Sequence, residues 1–251
     1  MAHHATATTS STTSSSTSSS TTSSTRTAGE TAGGGEPTTD VAELRADPMR
    51  FGVGARITVA VMADDYVDVI FGALRTVDST GLVVETGDVS TYVGGSETDL
   101  LRYVTDLTAA IAASGKHAAI TVHLSRGCPG EVVCDLPGGA GPRVTEVPQG
   151  RDTGRFVAAE WALYPLADDV RSDVTPDHMR DIYAAIELAK ENGTFRGSQH
   201  FVTRLEGDAG RVLASAFAGW VLAGRTVQHV TSHLTLSVNS PSHGSGDHTH
   251  G

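Results

Sequence analysis

Two segments of this chain put histidines and hydroxyls on the same side of what reads as a strand. His117 and His123 lie in HAAITVHLS, and His229 and His233 lie in HVTSHLTLS. On the same parity stand Thr121 and Ser125 in the first segment and Thr231, Thr235 and Ser237 in the second. Imidazoles can ligate a metal or move a proton, and hydroxyls can hydrogen-bond a small polar ligand. Alternating histidines on one strand do not by themselves close a coordination shell, so no metal is expected. Nucleophilic catalysis has little support. Cys128 sits in the turn-like Arg126-Gly127-Cys128-Pro129-Gly130, with no His-Asp pairing readable from spacing. No glycine run follows a strand in a phosphate-cradling pattern. What remains is a shallow pocket that takes hydrogen bonds, or a general acid/base at His123 or His233.

Strand parity predicts which elements position these groups. Ile120, Val122 and Leu124 oppose the first hydroxyl set, and Val230, Leu234, Leu236 and Val238 oppose the second. The same polar side gains Arg56 and Thr58 from the strand Arg56 to Met62, and Glu160 and Tyr164 from Phe156 to Tyr164. Helices must then cover the other side. Val67, Ile70, Phe71 and Leu74 follow Asp64-Asp65 at helical spacing, and Met179, Ile182, Tyr183 and Ile186 follow Thr175-Pro176. Ser96 with Asp99, and later Asp208, open two further helices. A solvated or dimer-facing sheet surface is the plain alternative to a ligand face.

The chain repeats itself. Asp64-Asp65 returns as Asp168-Asp169, an offset of 104, and from Gly95 to Gly207 onward the offset is 112. The eight additional residues of the second copy are expected within DDVRSDVTPD. Each copy reads strand, helix, strand, strand, helix, strand. That order predicts an α+β chain of two tandem ferredoxin-like (βαββαβ) sandwich domains from an internal duplication, each with both helices on one face of its sheet. The predicted organisation is a Ser/Thr/Gly-rich disordered tail over 1–47, a first domain over 51–130 and a linker over 131–154. A second domain over 155–242 and a His-containing flexible tail over 243–251 follow. Thr91 and Thr203 correspond at the offset of 112, as do Ser125 and Ser237, so a hydroxyl is kept at both places.

Composition narrows the function classes. A formal net charge of −11 argues against a phosphate-backbone partner, so no nucleic acid is expected. No run approaches the ~20 apolar residues of a membrane span. The first residues lack a basic start followed by an apolar run, so no secretory signal is expected, and two cysteines give no disulfide framework. A cytoplasmic protein with free thiols is the expectation.

The residues also point to a family. Leu163-Tyr164-Pro165-Leu166, the run His123 to Gly130, the close Leu236 to Ser242, and Glu85-Thr86-Gly87-Asp88-Val89-Ser90-Thr91 with Leu205-Glu206-Gly207-Asp208-Ala209 resemble the YkoF family over about 51–130 and 156–242. The resemblance implies a non-catalytic protein that binds thiamine or its hydroxymethylpyrimidine precursor and is linked to vitamin uptake or salvage. It implies tandem ferredoxin-like domains, a homodimer, association with a vitamin transporter, no cofactor, and ligand on the exposed sheet faces. The ligand-binding set expected on this reading is Arg56, Thr58, Ser90, Thr91, His123 and Ser125 from the first copy. From the second come Glu160, Tyr164, Thr203, His233 and Thr235. The first copy departs from the family in reading Val59-Ala60-Val61-Met62 where a Tyr-Pro step is usual. Two alternatives stay beside this reading: a ferredoxin-like isomerase or oxygenase using a sheet-face histidine, and a regulatory domain for another metabolite.

Overall fold

The computed structural model describes residues 40–128, 140–166 and 178–243. The elements in chain order are α1 (Val41–Ala46), β1 (Gly54–Val61), α2 (Tyr66–Thr76), β2 (Val83–Thr86), β3 (Thr91–Gly94), α3 (Glu97–Ala113) and β4 (Ala118–Arg126). The second copy gives β5 (Phe156–Leu166), α4 (His178–Glu191), β6 (Phe195–Gln199), β7 (Val202–Asp208), α5 (Ala209–Ala223) and β8 (His229–Val238). All eight strands form one sheet, in the order β2-β3-β1-β4-β8-β5-β7-β6. Every pairing is antiparallel. Within each copy the strand order is fourth, first, third, second, so the sequence repeat is also a repeat of topology.

The two copies meet edge to edge rather than as separate lobes. β4 pairs with β8 along its whole length, from Ala118 against Val238 to Arg126 against Val230. This pairing removes two free strand edges, which would otherwise offer unpaired backbone groups to other chains. Val122 pairs with Leu234, its own counterpart at the offset of 112, so a local twofold axis stands perpendicular to the sheet at that pair. One hydrophobic core runs under both copies, from Leu44 and Phe51 through Leu100, Leu107 and Leu124 to Trp161, Phe217 and Leu236.

Local chemistry explains most boundaries. Ser96 caps α3, accepting from the Asp99 N–H at 3.1 Å and donating to the Asp99 carboxylate at 2.6 Å. Asp208 occupies the equivalent place before α5 and accepts from the Gly210 N–H at 2.8 Å. The same carboxylate also accepts from the Thr153 and Gly154 N–H groups at 2.9 and 2.7 Å, which pins the end of the linker to the helix start. The linker can lie this close because Gly210 has no side chain; a Cβ there would stand 1.7 Å from the Arg151 carbonyl. Asp65 precedes α2, but its carboxylate turns to Lys116 at 3.3 Å instead of capping. β3 begins at Thr91 and β7 at Val202, because Gly87 and Ser90 close one hairpin turn and His200-Phe201 form the other.

The tail expectation needs a correction at its end. Residues 40–47 are not a solvated tail. Asp40 caps the short helix α1 through its side chain, and Leu44 is fully buried in the core. A truncation through residue 47 therefore removes a core side chain. Residues 1–39, the expected insertion at 168–177 and residues 244–251 lie outside the described residues. His243, assigned by sequence to the second tail, rests edge-on against Phe156 with ring centroids 5.0 Å apart.

Candidate functional site

The helical stripe of α2 does not reach the core as its periodicity suggests. Ala73 is the residue of α2 that is buried; Val67 and Phe71 remain 46% and 50% exposed. The reason is the length of what they could cover. β2 and β3 are four residues each, too short to floor an 11-residue helix. An open cleft of about 180 Å³ results between α2, the sheet and the β2–β3 hairpin.

Ile57 and Val59 from β1, Ile70 and Leu74 from α2, and Leu107 from α3 form its apolar walls. The hairpin Thr86 to Thr91 closes one end and supplies hydroxyls. Thr91 is buried, with its Oγ1 3.2 Å from the Thr86 Oγ1, and Asp88 brings a carboxylate to the same end. Tyr66, Phe71 and Val89 stand at the mouth, largely exposed. An apolar cavity of about 150 Å³ is enough to bind benzene. This cleft therefore has room for one substituted aromatic ring, with apolar faces and a polar edge.

The opposite face of the sheet carries the other expected residues. Arg56 pairs in register with Tyr92 on one side and His123 on the other, and His123 pairs with His233. Arg56 lies over the Tyr92 ring, 5.7 Å from its centroid, and its Nη1 donates to Ser90 Oγ at 3.4 Å. Two residues further along, Thr58, Thr121, Thr235 and Glu160 line up across four strands, with the Thr121 and Thr235 hydroxyls 3.4 Å apart. Ser125 and Tyr164 both stand opposite Thr231.

The expected set thus divides between the two faces. Eight of its members lie on the bare face: Arg56, Thr58, His123, Ser125, Glu160, Tyr164, His233 and Thr235. Ser90 and Thr91 line the cleft. Thr203, paired with the buried Trp161, belongs to the helix side as Thr91 does. Ile57, Val59, Ile70 and Leu107 line the cleft but stand outside the expected set, because apolar residues at strand and helix periods read as core. Among the described residues no group of three His, Cys, Asp or Glu side chains is placed to share a metal ion.

Burial and the neighbouring His233 hold the His123 imidazole below the ordinary histidine value of 6.5. The fold therefore prefers neutral His123. Above 6.5 this group costs nothing, and as pH falls below 6.5 the unfolded chain takes up the proton first, so stability declines until the folded value is passed. Thermal unfolding between pH 7.5 and 5 should show His123→Gln with a shallower loss than the unsubstituted protein. Parallel pH profiles would show that His123 is not the linked group.

The chain is a mixed α/β protein with one antiparallel sheet in which the same strand order occurs twice. The chain belongs to the YKOF-related family, whose pattern it matches over residues 52–131 and 156–243, one region in each copy. It is also similar to a protein of Bacillus subtilis (strain 168) whose provisional name is HMP/thiamine-binding protein YkoF. The two are 31% identical over 193 residues, covering 75% of this chain and 91% of that protein. No helix among the described residues is long and apolar enough to cross a membrane.

Proposed function

We propose that this chain binds thiamine or its hydroxymethylpyrimidine precursor without converting it, in the cytoplasm, as a duplicated ferredoxin-like protein of vitamin uptake or salvage. The observation that carries the ligand class is the cleft, an apolar slot ended by hydroxyls and one carboxylate. A 4-aminopyrimidine has flat apolar faces and a polar edge. Its faces fit between Ile57, Ile70 and Leu107, and its amino group and ring nitrogens meet Thr91, Thr86 and Asp88. Each neutral hydrogen bond contributes only about 0.5–1.5 kcal/mol, so most of the affinity comes from burying the ring. The homodimer and the transporter association implied by the family belong to the same reading.

A second placement, on the bare face, is favoured by the hydroxyl row Thr58, Thr121 and Thr235 beside His123 and His233. The two placements separate by calorimetric titration with both ligands. In the cleft, Thr91→Val keeps the side-chain shape and should weaken binding by about 1–2 kcal/mol, or roughly five- to thirtyfold, while Thr235→Val leaves it unchanged. The reverse pattern moves the site to the bare face. No binding by the unsubstituted protein overturns the ligand reading. Conversion of ligand during prolonged incubation, followed by NMR, would make the protein an enzyme and direct attention to His123 and His233.

A further inference from the structure

We propose that the second copy carries a site for an alkylguanidinium cation, in a cavity between α4, α5 and the linker. It is a different place from the ring-sized cleft of the first copy, and the inference does not depend on what that cleft binds.

The first copy shows how this part of the fold is filled there. Arg102 reaches from α3 to the turn after α2. Its Nη1 donates to the Asp78 carbonyl at 2.7 Å and to the Asp78 carboxylate at 2.8 Å. Its Nη2 donates to the Thr80 carbonyl at 2.6 Å and to the Asp99 carboxylate at 3.3 Å. A guanidinium therefore joins helix to turn through a fork of donors. The offset of 112 carries Thr80-Gly81 onto Asn192-Gly193, and both glycines are left-handed, with φ of 80° and 69°. The same offset carries Arg102 onto Ala214 and Asp99 onto Arg211. The second copy keeps the turn and lacks the side chain that plugs it.

The linker refills only part of that space. It crosses α5 at Gly150, so closely that a Cβ there would stand 2.6 Å from the Ala214 Cβ. Beside the crossing a cavity of about 410 Å³ remains, bounded by the linker, the end of α4 and α5. That is the size of a small-molecule pocket. Its polar groups select the ligand. Arg211 is engaged, because Nε and Nη2 each donate to an Asp152 carboxylate oxygen at 2.7 Å. Glu191 is open. Its neighbour Lys190 turns to Glu187 at 2.7 Å, and among the described residues no ion pair reaches Glu191. The amides on the wall have committed their nitrogens, Asn192 Nδ2 to Ser215 Oγ at 3.0 Å and Gln149 Nε2 to the Val147 carbonyl at 3.2 Å. What they offer a ligand is oxygen. An open carboxylate beside amide oxygens suits a cation with several donors in one plane, which a guanidinium has and an ammonium lacks. Leu188, Ala214 and Ala218 provide apolar wall for a short alkyl stem. The ligand this describes has the shape and charge of the Arg102 side chain.

Calorimetric titration with propylguanidine tests the site. Saturable binding to one site per chain is expected, and propylurea, similar in shape but uncharged, should bind at least about tenfold more weakly. Glu191 is exposed, so Glu191→Gln should keep the circular dichroism spectrum and lose about tenfold or more in affinity. Glu43→Gln removes the same charge from α1 and should leave affinity within about twofold. Acetyl-Gly-Arg-Gly-amide separates the two sources of the group. Binding as tight as that of propylguanidine assigns an arginine of a partner protein, and binding of propylguanidine alone assigns a free guanidinium compound. No saturable binding below ~10 mM, equal affinity for propylurea, or equal losses in Glu191→Gln and Glu43→Gln would each overturn the proposal.

Discussion

Replacing Glu97 by alanine is expected to destabilise the protein by about 3–5 kcal/mol, the range for removing one partner of a buried charge cluster. Glu97 opens α3 and is 3% exposed. Its carboxylate lies 3.4 Å from Arg126 Nη1 and 3.1 Å from Arg143 Nε, and both arginines are buried. Arg126 also faces the Trp220 ring at 5.7 Å and donates through Nη2 to the Arg143 carbonyl. Burial draws the Arg126 guanidinium down to about 10, against the opposing pull of Glu97 and with the help of Arg143 and Arg225. Glu97 is the carboxylate that balances two buried cations. Without it Arg126 and Arg143 repel in a poorly solvated site, and Arg126 already has Nε and Nη1 without a hydrogen-bond partner among the described residues.

The same cluster ties three parts of the chain together. Arg143 comes from the linker and donates to the Arg45 carbonyl of α1, while Glu97 belongs to α3 and Arg126 ends β4. Loss of Glu97 should therefore release the linker and α1 before the sheet. Urea unfolding with parallel proteolysis checks both statements. A loss under about 1 kcal/mol, or linker cleavage no faster than in the unsubstituted protein, would show that the arginines find other partners. Glu97→Ala combined with Arg143→Met should be less damaged than Glu97→Ala alone, because one orphaned charge is gone.

How much of this could be read in the sequence varies by level. Strands and helices were legible because their periods are strong, and the caps Ser96 and Asp208 behave as their chemistry predicts. The duplication gave the bare face, since parity assigns His123 and Thr235 to the same side in both copies. The cleft was not legible. The stripe Val67, Ile70, Phe71 and Leu74 has the pattern of a buried face, and only the brevity of β2 and β3 leaves it partly uncovered. The buried cluster was invisible for a different reason. Glu97 and Arg126 correspond to Ala209 and Val238 in the second copy, so the copies differ there in charge, but Arg143 arrives from the linker, which has no repeat to compare. Leu44 was missed because the low-complexity composition before it hides a six-residue helix.

A comparable loss, about 3–5 kcal/mol, is expected for Trp161→Ala, and here the two copies explain each other. Trp161 is 2% exposed and donates from Nε1 to Ser232 Oγ at 2.8 Å. Its ring lies against α5 where Gly219 leaves a notch; a Cβ on Gly219 would stand 2.6 Å from the Trp161 Cη2. In the first copy the three equivalent positions are Ile57, Leu107 and Ile120, by register for the first and by the offset of 112 for the others. One copy thus packs a large ring, a glycine and a hydroxyl where the other packs three branched aliphatic chains. Each single exchange toward the first copy should fail for its own reason. Trp161→Ile leaves a void over Gly219, Gly219→Leu overlaps the indole, and Ser232→Ile takes the acceptor from Nε1. Made together, Trp161→Ile/Gly219→Leu/Ser232→Ile rebuild the packing that the first copy already uses. The triple variant should lose at least ~1 kcal/mol less than the sum of the three singles, because contacting residues do not add. Urea unfolding of the four variants measures the difference. A triple loss equal to that sum would mean that the three positions pack independently and that the copies do not share one core design.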